Sequence, residues 1–183
     1  MDSTKFTAHT YSHLPQFQSS NELKEDRVID SVVNLYKAWG NRESDEELMD
    51  IVKRELDDQG VYVLVEENET NKMVGFGALS KGVGYGDHGK NVGFLDLAFV
   101  LPDYRKQGLY TNMIQAREEA ASRIGYDTLV VEPFEKARKI LEKTGYAPFY
   151  GPDGEIGLIK TLVSHDKETQ SPGIETNNLG FKS

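Results

Sequence analysis

A chain of 183 residues with 38% hydrophobic residues and no cysteine can bury one core without staples. It excludes disulfides, cysteine-held metal and any mechanism that parks a group on a protein thiol. The net charge of −9 is carried by residues 22–69, where 15 acids meet 6 bases; an acidic chain without a basic stripe is a poor nucleic-acid binder, because phosphate contacts dominate that affinity.

Met1-Asp-Ser-Thr-Lys-Phe6 lacks the apolar centre of a signal peptide, and no apolar run approaches the roughly 20 residues of a membrane span. The expectation is a cytoplasmic protein with no membrane contact. Residues 4–11 read as a short edge strand and residues 12–24 as a polar connection. From about Glu25 to Trp39, Val28, Ile29, Val32, Val33, Leu35, Tyr36 and Trp39 form one broad helical face, with Gly40 as the stop. Ser44-Asp-Glu-Glu47 has the form of a capping box and opens a second helix to about Asp57, with Leu48, Ile51, Val52 and Leu56 inward.

Val61–Val65 and Met73–Leu79, joined by a polar turn, predict a hairpin. A glycine-rich loop over 81–91 leads to the next strand, and a helix runs from near Gln107 to about Ile124. Thr128–Val131 is again a strand. Pro133 suits the first turn of a helix with Ala137, Ile140 and Leu141 inward and Gly145 as its stop. Residues 146–150 and 156–163 close the fold as a hairpin. Residues 164–183 are polar and read as a tail without fixed structure. One domain over 1–163 is expected, of α/β (α+β) class: a mixed, mostly antiparallel central sheet with helices on both faces.

Leu95 to Ile114 is the most telling run. A buried strand stops at Pro102-Asp103, a basic bend with a glycine follows, and Leu109, Met113, Ile114 and Ala121 recur at helical spacing. Such a bend leaves the first helical N–H groups unpaired and aimed at one spot, which Arg105 and Lys106 suit to a phosphate. On the strand itself, Asp96 stands among apolar neighbours from Phe94 to Val100, so its carboxylate must find water, a partner or a substrate. Gly84-Tyr-Gly-Asp-His-Gly89 spells a dinucleotide fingerprint but leads into the strand at Val92 rather than a helix, and reads as a hairpin loop. His9, His13, His88 and His165 are scattered without carboxylates at ligand spacing, so no metal is expected.

Arg105, Gly108 and Tyr110 occupy the three defined positions of a Q/R-x-x-G-x-G/A loop after the fourth strand, and Pro102 supplies a Pro-x-x-Arg lead-in. Downstream, Ala137-Arg-Lys-Ile-Leu-Glu-Lys-Thr-Gly145-Tyr146 ends the last helix. With this spacing, residues 94–150 resemble the GNAT superfamily of N-acetyltransferases. The resemblance implies acetyl transfer from acetyl-CoA, as co-substrate, directly to a primary amine in a ternary complex. The acceptor would be a small-molecule amine or a lysine side chain. Backbone N–H groups of Lys106, Gln107, Gly108, Leu109 and Tyr110, beside Arg105, would hold the pyrophosphate. Leu97, Ala98, Phe99 and Val100 would pair edge-on with the pantetheine arm.

The resemblance also implies a strand carboxylate, here Asp96, that relays the amine's proton; burial would raise its pKa toward a useful base. Glu132 could share the role. Two positions depart from the family pattern. Tyr110 stands where a small residue is usual, and Leu141 stands where the family carries the tyrosine that protonates the leaving thiolate. Tyr146, Tyr150 or Tyr110 could substitute, each reading first as a packing aromatic. A GNAT-like domain that binds acyl-CoA or a protein partner without turnover is the alternative. The acidic segment would lie on the acceptor side and favour a cationic amine, unless it is the solvated outer face of two helices. Hairpin edges near the C-terminus could pair two subunits as a homodimer.

Overall fold

The computed structural model describes residues 5–18, 23–83, 85, 91–151 and 154–162. The expected tail, most of the glycine-rich loop, His88 and His165 lie outside the described residues. Seven strands form one sheet in the order β1-β2-β3-β4-β5-β7-β6: β1 (Phe6–Tyr11), β2 (Val61–Glu67), β3 (Lys72–Lys81), β4 (Val92–Val100), β5 (Thr128–Val131), β6 (Ala147–Gly151) and β7 (Gly154–Thr161). Only β4 and β5 run parallel; the other neighbours are antiparallel. The mixed sheet and its helices on both faces are as expected.

Residues 12–18, part of the connection expected over 12–24, are more structured than their polarity suggests. Pro15 opens a single helical turn, α1 (Pro15–Gln18), whose one apolar side chain, Phe17, is buried. Helix α2 (Glu25–Trp39) buries the stripe expected of it and ends at Gly40, whose left-handed φ of 101° lets the following N–H groups close on Lys37 and Tyr36 carbonyls. Helix α3 (Asp45–Asp57) begins with the capping box: Ser44 Oγ accepts from Glu47 N–H, and Ser44 N–H donates to Glu47 Oε2 at 2.8 Å.

Alternation along the strands sorts the core into two sides. Tyr62, Leu64, Phe76, Ala78 and Phe99 pack with α2 and α3. Val63, Val65, Val74 and Val100 face the other way, against Leu109 and Met113 of α4 (Leu109–Ile124). Helix α5 (Glu135–Lys143) adds Leu141 to that second side, beside Leu129, Val131, Tyr146 and Leu158. No helix among the described residues is long and apolar enough to cross a membrane.

Candidate active site

Strand β4 carries one of the sheet's register shifts. Its register with β3 pairs Gly77 with Ala98 and resumes at Leu79 with Leu95, so Asp96 and Leu97 together oppose Ala78. This is a β-bulge, which re-aims side chains. Leu97 packs against the α2–α3 core and Asp96 lines a cavity on that same side, although strict alternation would have sent them apart.

On its other edge β4 pairs with β5 through Val92, Gly93 and Phe94 and no further. Beyond Phe94 the two strands part. Leu101 N–H donates to Val74 O at 2.9 Å, so the antiparallel alternation turns the backbone groups of Ala98 and Val100 toward the gap. Arg105 Nε takes one of them, donating to Val100 O at 2.9 Å.

A 3-10 turn (Pro102–Tyr104) brings the chain into the bend. Lys106 and Gly108 have φ of 63° and 79°, and α4 starts from Gly108 with no side-chain cap and no acid in its first turn. The first N–H groups of α4 are therefore offered to whatever approaches from outside. A Cβ on Gly108 would meet nothing within 4 Å, so the backbone borders open space there. Tyr110 does not crowd it. Its side chain turns inward, packs against both cores of the α4 side and faces Arg117, and burial raises its pKa.

Across the sheet, a cavity of about 370 Å³ is lined by Asp96, Glu55, Asp58, Tyr62, Ser80 and Lys81 among others. Asp96 Oδ1 accepts from Leu97 N–H at 2.8 Å. Glu55 accepts a hydrogen bond from the Tyr62 hydroxyl. Burial, and after it the Asp96 charge, push the Glu55 pKa up against the lowering effect of that hydrogen bond. Beside the gap, Trp39 at the end of α2 stacks on Phe99 with ring centroids 5.9 Å apart and meets Phe134 edge-on at 6.2 Å. Aromatics from α2, β4 and the segment after β5 thus meet at its mouth.

The other proposed catalytic residues stand apart from Asp96. Glu132 is exposed just past β5, and its Oε1 accepts from the Tyr85 hydroxyl at 2.6 Å. That hydrogen bond, with burial behind it, pushes the Tyr85 pKa up to about 12. Tyr146 is buried on the α4–α5 side; its hydroxyl has no hydrogen-bond partner among the described residues and faces Glu118, Arg117 and Tyr110. Burial first, then Glu118, raise its pKa. Leu141 is core, and Tyr150 is exposed. His9 and His13 lie against carboxylates, Glu66 at 2.8 Å for the first and Glu25 and Asp57 for the second, which sequence spacing concealed.

The model of the Acetyltransferase (GNAT) family matches residues 29–146. The chain belongs to that family. No curated protein matches this GNAT chain in sequence. Among solved structures, it is similar to an acetyltransferase of Trypanosoma brucei, with 20% identity and a TM-score of 0.61 over 80% of this chain and 95% of that one. An aminoglycoside N-acetyltransferase in complex with CoA is 16% identical, with a TM-score of 0.61 over 76% and 86%. A predicted acetyltransferase of Clostridium acetobutylicum with acetyl-CoA is 16% identical, with a TM-score of 0.58 over 78% and 90%. At these identities the likeness is one of fold.

The GNAT chain's own residues fit a CoA thioester. Residues 106–110 present uncapped N–H groups around the open side of Gly108, and the β4 edge past Phe94 lacks a strand partner. Sequence reading missed Glu55, Tyr62, Trp39 and Arg117. Arg117 did leave a signal: it falls on the stripe of Met113, Ile114, Ala120 and Ala121, where an apolar residue is expected.

Proposed function

We propose that this protein is an N-acetyltransferase that moves an acetyl group from acetyl-CoA directly to a primary amine within a ternary complex. The observation that carries the reading is the position of Asp96, on the bulge where β4 leaves β5 and lining a cavity on the side opposite α4. When bound, acetyl-CoA supplies the activated acetyl group, and residues 106–110 with the β4 edge from Leu97 to Val100 would hold it. An amine entering from the cavity side reaches the gap past Asp96, Glu55 and Asp58, carboxylates that favour a cationic acceptor. Asp96 takes the ammonium proton through water, leaving the amine neutral and nucleophilic. Ala98 N–H, turned toward the gap, is placed to stabilise negative charge that develops there. Glu132, held by Tyr85, serves at most as a second carboxylate. For the leaving thiolate, Tyr146 is the remaining proton source, and a CoA thiolate is a fair leaving group without one.

Thiol release from acetyl-CoA against diamines, polyamines, aminoglycosides and lysine peptides tests the reading. Asp96→Asn is expected to lower kcat by on the order of 100-fold. Full activity of the variant across pH would remove Asp96 as base. The buried Leu141, with no tyrosine at its position, favours a second reading, an acyl-CoA-binding domain without turnover. Donor binding with no thiol release from any amine would select it.

A further inference from the structure

Arg117 is the largest fully buried side chain of the fold, 1% exposed, and among the described residues no carboxylate pairs with it. A buried cation without a counter-ion is costly unless every donor is occupied. Three backbone carbonyls accept from Nε and Nη1, and the Tyr110 hydroxyl lies beside the guanidinium as a further partner. Nε donates to Met113 O at 3.1 Å on its own helix, and Nη1 donates to both Ala78 O and Asp96 O at 3.2 Å. Ala78 and Asp96 are the residues that face each other across the bulge. The guanidinium therefore supplies donors where the β3–β4 ladder is interrupted. The sheet makes room for it: a Cβ on Gly77 would lie 3.1 Å from Arg117 Cζ and Nε.

From this geometry we propose that Arg117 is a positioning residue of the acyl-transfer site. It pins the Asp96 peptide from the α4 side, so that the Asp96 carboxylate is held on the cavity side and the following amides keep their aim toward the gap. The proposal rests on the acetyltransferase reading for its catalytic consequence, but not for its structural one. A methionine would fill much the same volume and satisfy neither carbonyl, and a lysine would satisfy at least one while keeping the charge. Geometry at a reacting centre is the quantity at stake, and a misplacement of about 1 Å is worth on the order of 100-fold in rate.

The test compares wild type, Arg117→Met, Arg117→Lys and Gly77→Ala by two readouts. Residue-resolved amide exchange on the ligand-free protein should show faster exchange at Leu97 and Phe99 in Arg117→Met, with β2 and β5 unchanged. Gly77→Ala should show a weaker form of the same local signature with the charge intact, because its Cβ, 3.1 Å from Cζ and Nε, pushes the guanidinium by a few tenths of an ångström. Steady-state kinetics should then show kcat lower by on the order of 100-fold with KM for acetyl-CoA near wild type, and partial rescue in Arg117→Lys. Unchanged exchange at Leu97 in both Arg117→Met and Gly77→Ala overturns the proposal, as does faster exchange spread evenly through the sheet. Equal losses in kcat and donor affinity without lysine rescue also overturn it. Should the wild-type protein acetylate no amine, the function reading fails while the exchange measurements still decide whether Arg117 pins the bulge.

Discussion

Gly40, Gly108 and Gly125 form a natural control set for the donor loop. Their φ values are 101°, 79° and 96°, and a Cβ on any of them meets nothing within 4 Å. Alanine at each position is unclashed and carries only left-handed strain, about 1–2 kcal/mol. In a chain of this size that lowers Tm by about 2–8 °C. Gly40 and Gly125 follow the last turns of α2 and α4, whereas Gly108 precedes the first turn of α4 at the bend. On the proposed reading, only Gly108→Ala places its methyl where phosphate oxygens would approach the N–H groups. CoA at about 100 times its Kd stabilises a binding protein by about 2.7 kcal/mol, a Tm rise of about 5–11 °C. Thermal scans with and without CoA should show Gly40→Ala and Gly125→Ala keeping that rise on a lowered baseline, and Gly108→Ala losing most of it. A full CoA shift in Gly108→Ala would refute the pyrophosphate assignment. Widely unequal baseline losses would refute the strain argument itself.

Tyr146→Phe removes a buried hydroxyl that faces Glu118 but has no partner in hydrogen-bond geometry among the described residues, a group that costs about 1–3 kcal/mol when left unsatisfied. Its Tm should hold or rise, and if Tyr146 is the proton source its kcat should fall by on the order of 100-fold; a lowered Tm would show the hydroxyl to be structural. Glu55 has a folded pKa above its ordinary value, caused first by burial. Its contribution to stability is therefore fully present below the unfolded pKa and is lost as pH rises through the folded one. Glu55→Gln should match wild type in urea midpoint near about pH 4 and exceed it near about pH 8. A variant less stable at the higher pH would mean that the carboxylate is well solvated or paired.

The elements that carried clear periodicity were legible from sequence almost to their ends. The Ser44–Glu47 cap and the stripe of α2 rest on local spacing, and local spacing survives folding. Phe17 was missed because one apolar residue in a polar stretch has no period, and its burial is decided by contacts with distant segments. Tyr110 departs from the motif, but position on a helix's first turn does not say which way the side chain points; here it finds room beside Arg117. The β4 bulge was invisible because it is a count of residues on two strands at once. Glu132 and Asp96 read alike in sequence, as lone acids at strand positions. The Tyr85 hydroxyl separates them by occupying the first.

One irregularity accounts for most of the site's chemistry. Had β3 and β4 kept register, Leu97 would point to the α4 side, and the Ala78 and Asp96 carbonyls would have had no need of Arg117. The extra residue instead leaves a carbonyl pair that one Arg117 nitrogen satisfies, and places two successive side chains on one side. It also falls just beyond Phe94, the last residue of β4 that pairs with β5. The residue with a carboxylate in the cavity is thus the same residue whose carbonyl the guanidinium holds. Charge on the two sides of the sheet is coupled through a single peptide unit, with Arg117 on one side and Asp96, Glu55 and Asp58 on the other. An acidic cavity alone would hold a cationic amine firmly in its unreactive form. On the proposed reading, Arg117 acts on this site through geometry, by holding the peptide that carries the carboxylate.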